Sequence, residues 1–243
     1  MRQQGGALLL AIDTCGPSGS VALGLLTGGE VEILGQIELE GRSYSATLVA
    51  AVGELLAGNG IELRKLGAIV AVNGPGSFTG VRVGLSAVKG LAEAARIPVV
   101  AVSRLEVLAA KAGVPGDRSS SPGWKAGGRS AALDAHRQEV FLRLGLPDLE
   151  VTEMLAGAAE LSRIDPEGVR IAVCDDAAAA LLASAWPGAE LVRAFPPTAA
   201  DALGLCALRV AAAEFVDVAL LDGHYLRRSD AEIFGEPAAP PRL

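Results

Sequence analysis

The residues best placed to do chemistry lie in Val72-Asn73-Gly74-Pro75-Gly76-Ser77-Phe78-Thr79-Gly80-Val81-Arg82-Val83-Gly84, a glycine-rich stretch that follows an apolar run and opens a helical pattern. A turn of this kind between strand and helix presents backbone N–H groups to an anion, helped by the helix dipole. Gly74, Gly76, Ser77, Thr79 and Arg82 are therefore candidate contacts for a nucleotide or another anion. The stretch is not a P-loop, because Val81 and Arg82 stand where lysine and a hydroxyl residue would follow the second glycine. A purely structural turn accounts for the same residues, with Ser77 and Thr79 bonding to their own loop and Arg82 as a solvated helix residue.

Asp13-Thr14 closes the first apolar run beside a Gly/Ser-rich turn, and Asp134 closes a later one. Each aspartate can hold a phosphate-bound metal or cap its own turn through the backbone, and both readings stay open. The two histidines, His136 and His224, belong to no metal-binding pair, and Cys15, Cys174 and Cys206 are scattered. A histidine-based metal site and a thiol nucleophile are therefore not expected. The carboxylates Asp13, Glu54, Asp134, Asp175 and Asp176 would suffice for a two-metal nuclease, but their positions single out no cluster.

Composition narrows the field. A chain of 243 residues, 51% hydrophobic, can bury one large core or two smaller ones. The formal charge of −7 argues against broad, sequence-independent binding to nucleic acid, although another subunit of a complex can hold nucleic acid. No apolar run approaches the ~18 residues of a membrane span. The N-terminal run reaches Asp13 with no small-residue cleavage pattern, so a cytoplasmic protein is expected.

The elements that must position these residues follow from periodicity. Strands are expected over 7–14, 20–26 and 30–40, a helix capped by Ser43 over 43–57, a strand over 66–72, a helix over 80–96, a strand over 97–102 and a helix from Ser103 to about residue 112. The stretch 113–129, rich in Gly, Ser and Pro, reads as a mobile loop. Beyond it come strands over 130–134, 139–144, 169–174 and 190–193, and helices over 176–185 and 198–215. An antiparallel meander followed by alternating βα units points to a mixed sheet of ribonuclease-H-like type. The division expected is an N-terminal subdomain over 1–103 completed by 198–228, a smaller one over 104–197, and a disordered tail over 229–243.

The helix over 80–96 has an unusually wide apolar arc. Val81, Leu85, Val88, Ala92 and Ala95 form one face, and Gly80, Gly84, Ala87, Leu91 and Ala94 form another made mostly of small residues. Glycine inside a helix costs about 1 kcal/mol relative to alanine, so close approach of another backbone is expected at Gly84. The arc predicts a helix covered from two sides.

Ala11-Ile12-Asp13-Thr14, the run Gly74 to Gly84, and Leu133-Asp134-Ala135-His136-Arg137-Gln138-Glu139-Val140-Phe141 together resemble the bacterial TsaB (YeaZ) family. The similarity spans residues 7–144 and resumes weakly at His224-Tyr225-Leu226-Arg227-Arg228. The resemblance implies an α/β, actin-like (ASKHA) fold of two ribonuclease-H-like subdomains, in which Asp13 and Thr14 occupy the phosphate-binding place of actin-like ATPases. It implies a non-catalytic subunit in making threonylcarbamoyladenosine at position 37 of tRNAs that read codons starting with adenine. TsaD would be its heterodimer partner, TsaE a further ATPase partner and TsaC a functional link, with self-association when TsaD is absent and tRNA reached only through the complex. No cofactor of its own is implied, and ATP or ADP would bind weakly in the complex. The helices over 43–57 and 80–96 would form the interface, with Tyr44, Leu48, Val52, Leu55, Gly80, Gly84, Ala87 and Leu91 as contact residues, so that Gly84→Leu would break pairing and leave the chain folded. Two departures stand out: the long stretch 117–128, and Tyr44-Ser45 where some relatives carry histidine and threonine. An independent actin-fold phosphotransferase using Asp13, Thr14 and the glycine turn is the alternative.

Overall fold

The computed structural model describes residues 6–40, 43–112, 130–145, 150–166 and 169–227, so the loop read at 113–129 and the tail at 229–243 lie outside it. The N-terminal sheet contains β1 (Ala7–Asp13), β2 (Ser18–Thr27), β3 (Glu30–Glu40), β4 (Leu66–Val72) and β5 (Val99–Val102) in the order β3-β2-β1-β4-β5. Helices α1 (Tyr44–Gly58) and α2 (Phe78–Ala95) lie in sequence between its last three strands, and α3 (Arg104–Lys111) follows β5. The second sheet is built from β6 (Ser130–Asp134), β7 (Val140–Leu144), β8 (Thr152–Ala156), β9 (Arg170–Val173) and β10 (Glu190–Arg193), with α4 (Ala158–Leu161), α5 (Asp176–Ala185) and α6 (Ala199–Ala211) at the corresponding places. Its order, β8-β7-β6-β9-β10, repeats that of the first sheet strand for strand. Each sheet joins an antiparallel meander to parallel strands, which is the ribonuclease-H-like topology doubled in the actin-like way.

Burial explains why these strands are central. Leu9, Leu10, Ala11 and Ile12 of β1 and Ala68, Ile69, Val70 and Ala71 of β4 are consecutive and all buried. Such runs need cover on both faces, and α1, α2 and α6 pack on this sheet. The third helix of each half crosses over: α3 packs on β6, β7 and β9, whereas α6 packs on all five strands of the N-terminal sheet. Leu105 and Leu108 of α3 share a core with Leu133, Phe141 and Leu226.

Several local expectations need correction. The strand expected over 30–40 is interrupted by a register shift opposite Leu23 and Gly24, and its Ile33 stands 42% exposed. A bulge changes which face each residue takes. The helix read over 198–215 stops at Ala211, because Ala213 turns left-handed (φ 56°) and the Val216 N–H donates to Val99 O on the free edge of β5. Ser43 caps α1 in sequence only, since its hydroxyl donates to Glu40 O. Neither β8 nor α4 was expected. β8 is a half-buried edge strand of mixed composition and α4 is a single turn, so neither carries a readable period.

Candidate functional site

The glycine turn is locked onto the β1–β2 hairpin by its own chain. Ser77 caps α2, its Oγ accepting the Gly80 N–H at 3.2 Å, and the Ser77 N–H donates to Cys15 O at 2.8 Å. Thr14 Oγ1 donates to Gly80 O at 2.7 Å. A Cβ placed on Gly80 would lie 2.1 Å from Thr14 O, one on Gly84 would lie 2.2 Å from Thr14 Oγ1, and one on Gly76 would lie 2.1 Å from Cys15 O. Gly74 has φ 114°, which favours glycine, and follows the same logic: its carbonyl accepts the Arg104 N–H, and its own Cβ would lie 3.1 Å from His224 O. Asp13, Thr14, Gly74, Gly76 and Ser77 are thus gathered in one place, with Thr79 exposed on the first turn of α2.

Asp13 is fully engaged. Its Oδ1 accepts the Cys15 N–H at 2.8 Å, and its Oδ2 pairs with Arg104 Nε at 3.2 Å, both residues being buried. Burial works against the Arg104 charge, yet the Asp13 carboxylate more than offsets it, and the guanidinium is held above its ordinary range. Burial, then the Asp13 charge, pushes the Cys15 thiol well up, so it stays protonated. The same two causes push Tyr44 up to about 12, and its hydroxyl donates to Gly16 O at 2.9 Å. The side chain of Arg104 fills the space beside the hairpin, where a Cβ on Gly16 would come within 2.4 Å of its Nη2. Sequence reasoning missed Arg104; the available signal was one charge at the start of a helix on the side of Val107 and Leu108.

The second hairpin repeats the motif. Asp134 Oδ1 accepts the His136 N–H at 2.8 Å, as Asp13 does with Cys15, and the Asp134 N–H donates to Asp175 Oδ2 at 3.0 Å. His136, Arg137 and Gln138 follow with φ of 59°, 55° and 60°, beside a cavity of about 420 Å³ that Asp134, Glu139, Ala177 and Leu181 also line. Among the described residues no three His, Cys, Asp or Glu side chains converge as metal ligands.

A third cluster joins the halves. Glu153 of β8 accepts hydrogen bonds from Arg143 Nη1 at 2.6 Å and Ser103 Oγ at 2.7 Å, and meets His224 Nε2 at 2.7 Å. Burial alone would raise this carboxyl, but the bonds from His224, Ser103 and Arg143 and the Arg143 charge hold it below its usual range. His224 belongs to a C-terminal segment whose backbone N–H donates to Asn73 O at 2.7 Å. Arg227 of that segment pairs with Glu139, and the Tyr225 ring lies 5.1 Å from that of Phe78.

The helix residues expected at an interface divide sharply. Tyr44, Leu48, Val52 and Leu55 are 1–6% exposed and face the N-terminal core, and Gly80 and Gly84 are buried against Thr14. Their small size and apolar character serve internal packing, so none of the six is on display. Ala87 and Leu91 are half-buried. The small and apolar residues that α1 and α2 present outward are a different set: Ala46, Val49 (62% exposed), Ala50, Gly53 and Ala57 on one helix, with Gly90 and Ala94 on the other, beside polar residues such as Glu54, Arg82, Ser86 and Glu93. A Cβ on Gly53 or Gly90 would meet nothing within 4 Å.

The model of the tRNA N6-adenosine threonylcarbamoyltransferase family (TsaD) matches residues 34–156, about half of the 243-residue chain. The tRNA threonylcarbamoyladenosine biosynthesis protein TsaB of Haemophilus influenzae is 36% identical over 133 residues, covering 55% of this chain and 51% of that protein. The TsaB protein of Escherichia coli is 33% identical over 136 residues, covering 55% and 52%. The matched region thus spans about half the length of these curated relatives. YeaZ from Pseudomonas aeruginosa superposes with a TM-score of 0.67 at 29% identity, covering 90% of this chain and all of that one. A second Pseudomonas aeruginosa structure, described as similar to peptidase YEAZ, gives 0.70 at 29% identity. With the doubled sheet, the glycine turn and these likenesses in agreement, the chain belongs to the TsaB (YeaZ) family, within the broader group that the threonylcarbamoyltransferase model describes.

Proposed function

We propose that this protein is a non-catalytic scaffold in the formation of threonylcarbamoyladenosine at position 37 of tRNAs that read codons starting with adenine, and that it works by binding and activating a TsaD-like threonylcarbamoyltransferase. The observation that carries the reading is the outward face of α1 and α2, where Val49 stands exposed among alanines and the open glycines Gly53 and Gly90. Small residues let a partner helix come close, and the exposed valine adds apolar area to bury. The partner's helices would lie on Ala46, Val49, Ala50 and Gly53 and on Ala87, Gly90 and Leu91. Self-association would use the same face when that partner is absent. TsaE, TsaC and the tRNA would meet this subunit only in the assembled system, and any ATP or ADP contact would be weak and confined to the complex.

The independent phosphotransferase is less well supported. Both Asp13 oxygens and the Thr14 hydroxyl are already committed to Arg104, Cys15 and Gly80 of the same chain. Reconstitution tests both readings. With purified TsaC, TsaD and TsaE and an unmodified tRNA, adding this chain is expected to raise the yield of modified nucleoside measured by mass spectrometry. Modification that proceeds equally without it, or ATP turnover by the chain alone, would overturn the proposal.

A further inference from the structure

Arg82 is held in place yet, among the described residues, has no ion-pair partner. Its Cζ lies 3.7 Å from the centre of the Phe78 ring and 6.0 Å from that of Tyr225, and its Nε makes a long hydrogen bond of 3.4 Å to the Tyr225 hydroxyl. Among the described residues no carboxylate lies within ion-pair distance of it, whereas Arg104, Arg143, Arg209 and Arg227 each hold one. Phe78 and Tyr225 are 42% and 37% exposed, leaving two rings and a guanidinium together at the surface. Arginine and tyrosine are the residue types that most often dominate binding energy at interfaces. A side chain already fixed by its neighbours loses little freedom when a ligand arrives. Among the described residues the terminal nitrogens of Arg82 have no hydrogen-bond partner, and a guanidinium edge of that kind takes a carboxylate in a two-point contact.

We propose that Phe78, Arg82 and Tyr225 form a receptor for one carboxylate of the TsaD-like protein that covers α1 and α2, the carboxylate pairing with Arg82 while its apolar neighbours pack on the two rings. The inference rests on the reading of that helix face as the partner surface. Arg82 lies on the exposed side of α2 with Ser86, one turn on, and Gly90, two turns on, so a partner lying along α2 reaches it. A protein carboxylate is favoured over an RNA phosphate by charge. The net charge of −7, which includes Glu30, Glu32, Glu38 and Glu40 along the edge strand β3, repels a polyanionic RNA more than a single carboxylate. Phosphate backbones are held by arrays of cations, not by one arginine between two rings.

The test is calorimetric titration of the full chain with purified TsaD, comparing wild type, Arg82→Glu, Arg82→Lys, Phe78→Ala and Gly53→Trp. Arg82→Glu is expected to weaken binding by about 30-fold or more. Arg82→Lys is expected to weaken it as well, because a point charge cannot reproduce the two-point contact. Arg82 is exposed, so circular dichroism and the melting temperature of the isolated chain should stay at wild-type values. If Gly53→Trp abolishes binding and Arg82→Glu binds as wild type does, the receptor is refuted and the helix surface stands. If Gly53→Trp binds normally, the helix surface itself is wrong. Loss that appears only in tRNA binding by the assembled complex would also refute a carboxylate receptor.

Discussion

Asp13 and Arg104 show what one buried ion pair does to a site. Removing one partner leaves a charge in a dry interior, which costs about 3–5 kcal/mol, while removing both can be nearly neutral. Arg104→Ala is therefore expected to lower stability by about that amount in urea unfolding, with Asp13→Ala/Arg104→Leu less damaging than the sum of its single changes. Additive losses in the double-mutant cycle would mean that the two side chains do not act as a pair. Burial first and the Asp13 carboxylate second raise the titration of Cys15 and Tyr44, with the Arg104 charge opposing them. Thiol alkylation of the native chain at neutral pH should consequently be slow at Cys15, which is 1% exposed, and faster at the half-buried Cys174.

At the scale of the element, glycines in α1 and α2 obey one propensity rule with opposite outcomes. Gly53 and Gly90 have open space around a new Cβ, so Gly53→Ala and Gly90→Ala should each stabilise the chain by about 0.5–1 kcal/mol. A Cβ on Gly84 would lie 2.2 Å from Thr14 Oγ1, so Gly84→Ala should destabilise, and Gly84→Leu should cost the fold itself and not only a partner contact. Thermal unfolding of these variants checks the assignment of inner and outer faces without any partner present. A stabilised Gly84→Ala would reverse it. The reason lies in the apolar arc of α2: one part of it serves the sheet and one part serves the hairpin turn, leaving Ala87, Gly90, Leu91 and Ala94 as the portion still available.

For the whole molecule, the carboxylate of Glu153 connects three separated regions: Ser103 after the N-terminal sheet, Arg143 in the second sheet and His224 in the C-terminal segment. Its folded-state titration lies below the ordinary carboxylate range, so the stability it supplies is fully present above the unfolded value and disappears as pH falls through the folded one. Acid unfolding of Glu153→Gln should accordingly show a shallower loss of stability with falling pH than the wild type, together with lower stability at neutral pH. Equal acid profiles for the two proteins would count against this linkage. Hydrogen exchange in 222–227 should rise in the same variant, because Glu153 is the residue of β8 that anchors His224.

Sequence by itself determined the order of most strands and helices, the glycine turn and the family, because periodicity and a long, specific motif are local properties. Asp13 and Thr14, and separately Gly74, Gly76, Ser77, Thr79 and Arg82 of the turn, were recognisable as candidates for the same reason. Tertiary structure alone decided what they do together. Arg104, 91 residues from Asp13, became its partner only when α3 left its own half to pack on the second sheet. Likewise the helical wheel showed that α2 had two apolar faces but not which was already covered, since Thr14 approaches Gly84 from a distant part of the chain. The outward set of Val49, Gly53 and Gly90 is what remains once long-range packing has taken its share, and no local pattern distinguishes a buried glycine from an open one.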